Sequence, residues 1–83
     1  MAAKRNRVST AFAKSLQEAR QHRGMTQEEL AARTSYSARF ISFLETGDRQ
    51  PTISALIAIE QALGLPPGDL VRRTVAQAPP RRR

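Results

Sequence analysis

Seven side chains between residues 27 and 46 hold the chemistry this chain can offer, and it is recognition rather than bond making. Arg39 carries a guanidinium whose two parallel N–H groups fit the O6 and N7 acceptors of a guanine. Ser37, Ser42 and Thr46 add hydroxyls, while Ala38 has only a methyl, suited at most to a thymine methyl. Phe43 brings a bare phenyl, whose exposure to water calls for a contact, either with thymine methyls or with a packing partner. Gln27 stands at the start of a helix, where unpaired backbone amides can meet a phosphate.

Two short helices and a tight turn must position these groups. Thr26-Gln27-Glu28-Glu29 is a capping box: the Thr26 hydroxyl accepts the Glu29 amide proton and the Glu29 carboxylate reaches back to the Thr26 amide. Met25 and Leu30 have the spacing of a hydrophobic staple, and Ala31 is small enough for a second helix to cross closely. Apolar character resumes at Tyr36, Ile41 and Leu44, and Gly47 closes the second helix. With Ile41 and Leu44 turned inward, Ser37, Ala38, Arg39, Ser42, Phe43 and Thr46 are left on an open face of the size that enters a DNA major groove.

Four blocks, in order, resemble the lambda-repressor-like (Cro/C1, xenobiotic-response-element) helix-turn-helix family. They are Leu16 and Arg20 with Gly24 to Ala31; Ile41-Ser42 with Glu45-Thr46-Gly47; Arg49 to Thr52; and Leu56, Ile59 and Ala62-Leu63-Gly64. The resemblance covers about Phe12 to Leu70 and implies an all-α, five-helix bundle that binds operator DNA. It also implies that Gln27 clamps the DNA backbone and braces a residue of the third helix, that Ser42 lies near backbone or base, and that Arg49 contacts phosphate. Arg20 and Glu45 match positions that form a partly buried ion pair. Ser35 stands where the family has glycine, and a left-handed serine costs about 1 kcal/mol more than glycine, so the turn is expected to be slightly different or to be held by the Ser35 hydroxyl. Tyr36 replaces a Val or Ile, and its ring is expected inside with the hydroxyl near the surface. Glu60 replaces an alanine and is expected at the rim or paired with Arg72 or Arg73.

Composition fits one small domain. Eighty-three residues with 40% apolar content and no tryptophan suit a compact helical core that gains from a partner's surface. The absence of cysteine excludes disulfides and thiolate metal sites and fits a reducing cytoplasm, the expected location. No apolar run approaches a membrane span, and no signal-peptide core follows Lys4, Arg5 and Arg7. The net charge of +7 lies in the ends. Residues 8–70 carry six Lys/Arg against seven Asp/Glu, whereas residues 1–7 hold three cations and residues 71–83 hold five. Such ends attract phosphate in a salt-sensitive, sequence-blind manner.

Helix signals divide the chain into a basic arm at 1–8, a folded domain at 9–74 and a disordered basic tail at 75–83. Ser9 or Thr10 can cap a first helix that ends at Gly24, and Thr52 a fourth that ends near Gly64. A fifth helix starting at Pro66 or Pro67 is predicted to run to Arg73. Ile53, Leu56, Ile57, Ile59 and Leu63 form the apolar stripe of the fourth helix. Ile53, Ile57, Ile59, Leu65, Leu70 and Val71 together exceed what its inner face needs, so a homodimer joined through Leu65, Leu70 and Val71 is expected. One short reading helix also needs a second half-site, which makes a pseudo-palindromic operator the expected partner.

No paired carboxylates, Cys/His couple, metal-ligand spacing or glycine-rich phosphate loop supports an enzyme, a cofactor or a metal, and no small-molecule effector is evident. His22 reads as a solvent-facing residue. The rival reading is a protein-interaction module or antitoxin-type subunit that keeps the fold with weak DNA readout, suggested by Phe43 and the near-neutral middle of the chain.

Overall fold

The computed structural model describes residues 5–78. Five helices follow one another: α1 (Arg7–His22), α2 (Gln27–Ala32), α3 (Ala38–Thr46), α4 (Ile53–Ala62) and α5 (Asp69–Gln77). No strand occurs among the described residues. α1 lies against both α3 and α5, and α2 lies against α3. Leu16, Leu30, Ile41, Leu44, Ile59, Leu63 and Leu70 have no exposed surface, and Phe12, Ala19 and Ala31 complete the core between them. Each side chain of this size adds roughly 1.5–3 kcal/mol when buried, so the core sets the stability on which the surface groups stand.

The cap of α1 differs from the sequence expectation. Asn6, rather than Ser9 or Thr10, begins the helix: its Oδ1 accepts the Ser9 amide at 2.8 Å, and Ser9 Oγ accepts the Asn6 amide at 2.8 Å. Ser9 is therefore the buried third residue of a capping box. α5 differs as well, starting after Gly68 and running on to Gln77, beyond the predicted end at Arg73. Regular structure thus extends past both ends of the 9–74 segment, and Ala76 and Gln77, assigned to the tail, are helical. Lys4 of the arm and Arg81, Arg82 and Arg83 of the tail lie outside the described residues.

Glu60 explains where α5 starts. Gly68, at φ +84°, brings no capping side chain. Its amide donates to Glu60 Oε1 at 3.0 Å, and the Leu70 amide donates to Glu60 Oε2 at 2.9 Å. A carboxylate of α4 thus closes the N-terminal end of α5, where helix amides otherwise lack partners. Glu60 is 5% exposed, not at the rim, and it is Asp69 that meets Arg72 (3.7 Å) and Arg73 (2.7 Å). At the other end of α5, Gln77 Nε2 donates to Ser15 Oγ at 2.8 Å and ties the helix to α1.

The apolar supply of α4 and α5 divides differently from the expectation. Leu70 and Ile59 are wholly core, which removes Leu70 from any dimer surface. Leu65 is half-buried against the core. Val71 is open to solvent, as are Ile53, Ile57 and Val75.

Candidate nucleic-acid interface

The α2–α3 unit is built as its residue types require. The Glu29 amide donates to Thr26 Oγ1 at 3.0 Å and the Thr26 amide to Glu29 Oε1 at 2.8 Å, completing the expected box. Met25 packs on the core cluster that contains Leu30. The turn departs from the family course. Among the described residues none but glycine has positive φ, so Ser35 is not left-handed. Thr34 holds the turn instead: its hydroxyl donates to the Ala31 carbonyl at 2.9 Å and accepts the Tyr36 amide at 3.1 Å. A side-chain turn of this kind replaces the left-handed residue that glycine would supply. Tyr36 is half-buried, its ring stacked on Phe40 with centroids 5.0 Å apart.

α3 begins at Ser37, whose Oγ accepts the Phe40 amide at 3.0 Å, and ends at Gly47 with φ +84°. A side chain on Gly47 would meet strain from that φ, and its Cβ would lie 3.6 Å from the Ser9 carbonyl. Ile41 and Leu44 are completely buried, which fixes the helix's rotation. Arg39 and Thr46 are exposed on the other side, Ser42 and Phe43 half-exposed. Ser37 is exposed and serves as the cap. Ala38 packs partly against the core, so only part of its methyl faces outward.

An ion pair pins α3 to α1. Arg20 Nε donates to Glu45 Oε2 at 2.6 Å and Nη2 to Oε1 at 2.9 Å, while Nη1 donates to the Met25 carbonyl at 2.6 Å. The two side chains are 10% and 3% exposed. The hydrogen bond to Glu45, ahead of the opposing desolvation, raises the Arg20 pKa above its ordinary value. The predicted pair is present and is bidentate, a geometry that guanidinium and carboxylate match closely. Gln27 joins it, Nε2 donating to Glu45 Oε1 at 3.1 Å. The start of α2 is thereby braced against α3.

Three further groups complete the face. The Arg39 and Arg49 guanidinium carbons lie over the Phe43 ring, 5.5 and 5.4 Å from its centroid. Next to them, Arg5 Nε donates to Asp48 Oδ1 at 2.9 Å. Thr46 Oγ1 is 2.9 Å from Asp48 Oδ2 and 3.0 Å from the Phe43 carbonyl, its one hydrogen serving either acceptor. The Arg5 hydrogen bond first, and that of Thr46 second, hold the Asp48 carboxyl below its usual pKa. Sequence reasoning missed Arg5, Asp48 and Phe40. An acid immediately after a helix-closing glycine, beside a hydroxyl two residues earlier, was the available signal for Asp48; nothing local pointed to Arg5.

The structure thus gathers Gln27, Arg39, Ser42, Phe43, Thr46 and Arg49 around α3 and its ends. Among the described residues, no three His, Asp or Glu side chains are placed to hold a metal ion. No described helix is long and apolar enough to cross a membrane.

Comparison with known proteins agrees with this architecture. The family profile described as Helix-turn-helix matches residues 16–70. The chain is 44% identical over 55 residues, 66% of its length and 71% of the relative's, to the uncharacterized HTH-type transcriptional regulator y4dJ of Sinorhizobium fredii (strain NBRC 101917 / NGR234). It is 42% identical over 60 residues to the uncharacterized HTH-type transcriptional regulator Rv0023 of Mycobacterium tuberculosis (strain ATCC 25618 / H37Rv), covering 72% of this chain and 23% of that longer protein. Among solved structures, the clp gene regulator ClgR from C. glutamicum aligns with a TM-score of 0.81 at 25% identity, over 92% of this chain and 97% of ClgR. The restriction-modification controller protein C.Esp1396I, solved as a tetramer with its natural 35 base-pair operator, shares the fold with a TM-score of 0.76 at 24% identity, over 86% of this chain and 93% of its own.

Proposed function

This chain belongs to the helix-turn-helix family, and from that premise we propose that it is a transcriptional regulator that reads operator half-sites in the major groove with α3, as a homodimer. The observation that carries the reading is the division of α3 into two sides. Ile41, Leu44 and Glu45 are locked inward, while Arg39, Ser42, Phe43 and Thr46 are presented outward on a helix that cannot rotate. Arg39 reads a base edge. Gln27, held by Glu45, and Arg49 contact the sugar-phosphate backbone on either side and set the register. The work is binding, not catalysis, and takes place in the cytoplasm.

Regulators of similar sequence and the operator-bound C.Esp1396I support the DNA partner. For the dimer, the support is apolar surface: Ile53, Ile57, Val71 and Val75 are between 46% and 72% exposed on α4 and α5. Val71 also lines a groove of about 150 Å³ with Val8, Phe12, Pro51 and Leu56. Exposed apolar side chains that join into one patch mark an association surface, which a twofold dimer would bury on both copies.

Selection of bound sequences from a random duplex pool, followed by salt titration of selected and random duplexes, tests the reading. A specific regulator shows a ratio of about 10³ or more between the two. Equal affinities, falling together with salt, would leave only the basic ends at work and favour the interaction-module reading.

A further inference from the structure

The recognition reading gives Phe43 no hydrogen-bonding task, since a phenyl ring can offer a base edge only apolar contact. We infer that Phe43 is a positioning residue whose ring holds the Arg39 and Arg49 guanidiniums as a coupled pair, one for a base edge and the other for a neighbouring phosphate. The inference rests on the proposed DNA reading and assigns a specificity determinant within it.

The ring lies between the two arginines in the sequence, and both guanidiniums reach it. Arg39 precedes Phe43 by four residues, hence on the same face of α3. Arg49 comes from the loop after α3, where Gly47, at φ +84°, turns the chain. Both guanidinium carbons lie over the ring, at 5.5 and 5.4 Å, inside the roughly 6 Å range of cation–π attraction. A guanidinium over a ring engages it through its face and keeps its in-plane N–H groups for acceptors, so stacking and hydrogen bonding to guanine or phosphate are compatible. Long arginine side chains lose rotamer freedom on binding; those already resting on a ring lose less. Two cations drawn to one ring also repel each other, and an anionic phosphate relieves that repulsion. A polar reader at position 43 would add one contact of its own. Phe43 instead makes the placement of each arginine depend on the other's platform.

The test uses the full chain, a duplex recovered by selection and a random-sequence duplex. Phe43→Leu should weaken binding to the selected duplex by about 5- to 30-fold, the size of two exposed cation–π contacts, and flatten the preference at the base pair read by Arg39. Phe43→Tyr, which keeps the π face, should stay within about twofold of the wild type. In a chain already carrying Arg39→Ala and Arg49→Ala, Phe43→Leu should cost less than about twofold, which makes the three residues one unit in a mutant cycle. In the free protein, the ring-current shifts of the Arg39 and Arg49 side-chain protons should vanish in Phe43→Leu and persist in Phe43→Tyr. If Phe43→Leu lowers the thermal midpoint, Phe43→Met replaces it in the cycle. An equal loss with and without the arginines would mean the ring itself touches DNA, and no loss at all would mean it does nothing; either result overturns the inference while the recognition reading stands. A wild type with no preference for the selected duplex would overturn both.

Discussion

Arg20 and Glu45 face each other through two parallel hydrogen bonds, at 2.6 and 2.9 Å, in a site where neither side chain is more than 10% exposed. The pair links α1 to α3, and it is also the anchor for Gln27. Its weight therefore falls on the orientation of the reading helix more than on net stability, since burying two charges offsets much of their attraction.

Removing one partner leaves the other charge buried and alone. Glu45→Ala should destabilise the domain by about 3 kcal/mol in chemical denaturation, while Arg20→Met combined with Glu45→Leu should return to within about 1 kcal/mol of the wild type. The double variant should still bind DNA more weakly, because Gln27 has lost its brace. Equal losses from single and double variants would show that packing, not the uncompensated charge, decides the effect.

Glu60→Ala strips two amides of their acceptor at the start of α5. The expected loss is about 1–3 kcal/mol, with faster hydrogen exchange at Gly68 and Leu70 than in the rest of the core. Protection that stays level at both amides would mean that α5 begins without help from α4.

Asp48 titrates below the usual carboxylate range because Arg5 and Thr46 hydrogen-bond its charged form. A depressed folded-state pKa means a contribution present above the ordinary value, near 3.9, and lost as pH falls through the lower folded-state pKa. The side-chain carboxyl resonance of Asp48 should accordingly have its midpoint below about 3.9, and Arg5→Ala should move it upward. An unmoved midpoint would show that Arg5 does not hold this carboxylate in solution.

Arg39→Ala should weaken binding to a selected duplex by about 1–3 kcal/mol and relax the preference at one base pair. Gln27→Ala should weaken all duplexes nearly alike. An equal fall across all sequences for Arg39→Ala would instead make Arg39 a phosphate contact.

Association can be separated from folding by the two neighbours Leu70 and Val71. Val71→Glu and Ile57→Glu place charge on exposed positions and should yield folded monomers in sedimentation at micromolar concentration. Leu70→Glu should unfold the domain, because Leu70 has no exposed surface. A wild type that sediments as a monomer and binds one copy per site would end the homodimer reading.

The α2–α3 unit was the most legible part of the chain because its signals are local. Thr26 and Glu29 lie three residues apart, and Gly47 closes a helix whose Ile41 and Leu44 repeat at helical spacing. Arg20 with Glu45 came from family resemblance, since a 25-residue separation leaves no local trace. Of the two courses Ser35 left open, the turn takes a different one from the family's, because Thr34, one residue earlier, does with its hydroxyl what glycine does with its backbone. Leu70 and Val71 were equally apolar in sequence, and only the rotation of α5, packed on α1 with its start held by Glu60, decides which of them faces inward. The same long-range cause explains Arg5, which finds Asp48 from 43 residues away.

The contact of α5 with α1 joins groups 62 residues apart, Gln77 and Ser15. During synthesis from the amino terminus, α1 emerges with Phe12 and Leu16 uncovered, and the helix that shields them is made last among the five. Closing that loop is the contact of this topology that spends chain entropy over the longest stretch. On the ribosome the core is therefore complete only once Leu70 and Gln77 have cleared the exit tunnel, since domains fold as units.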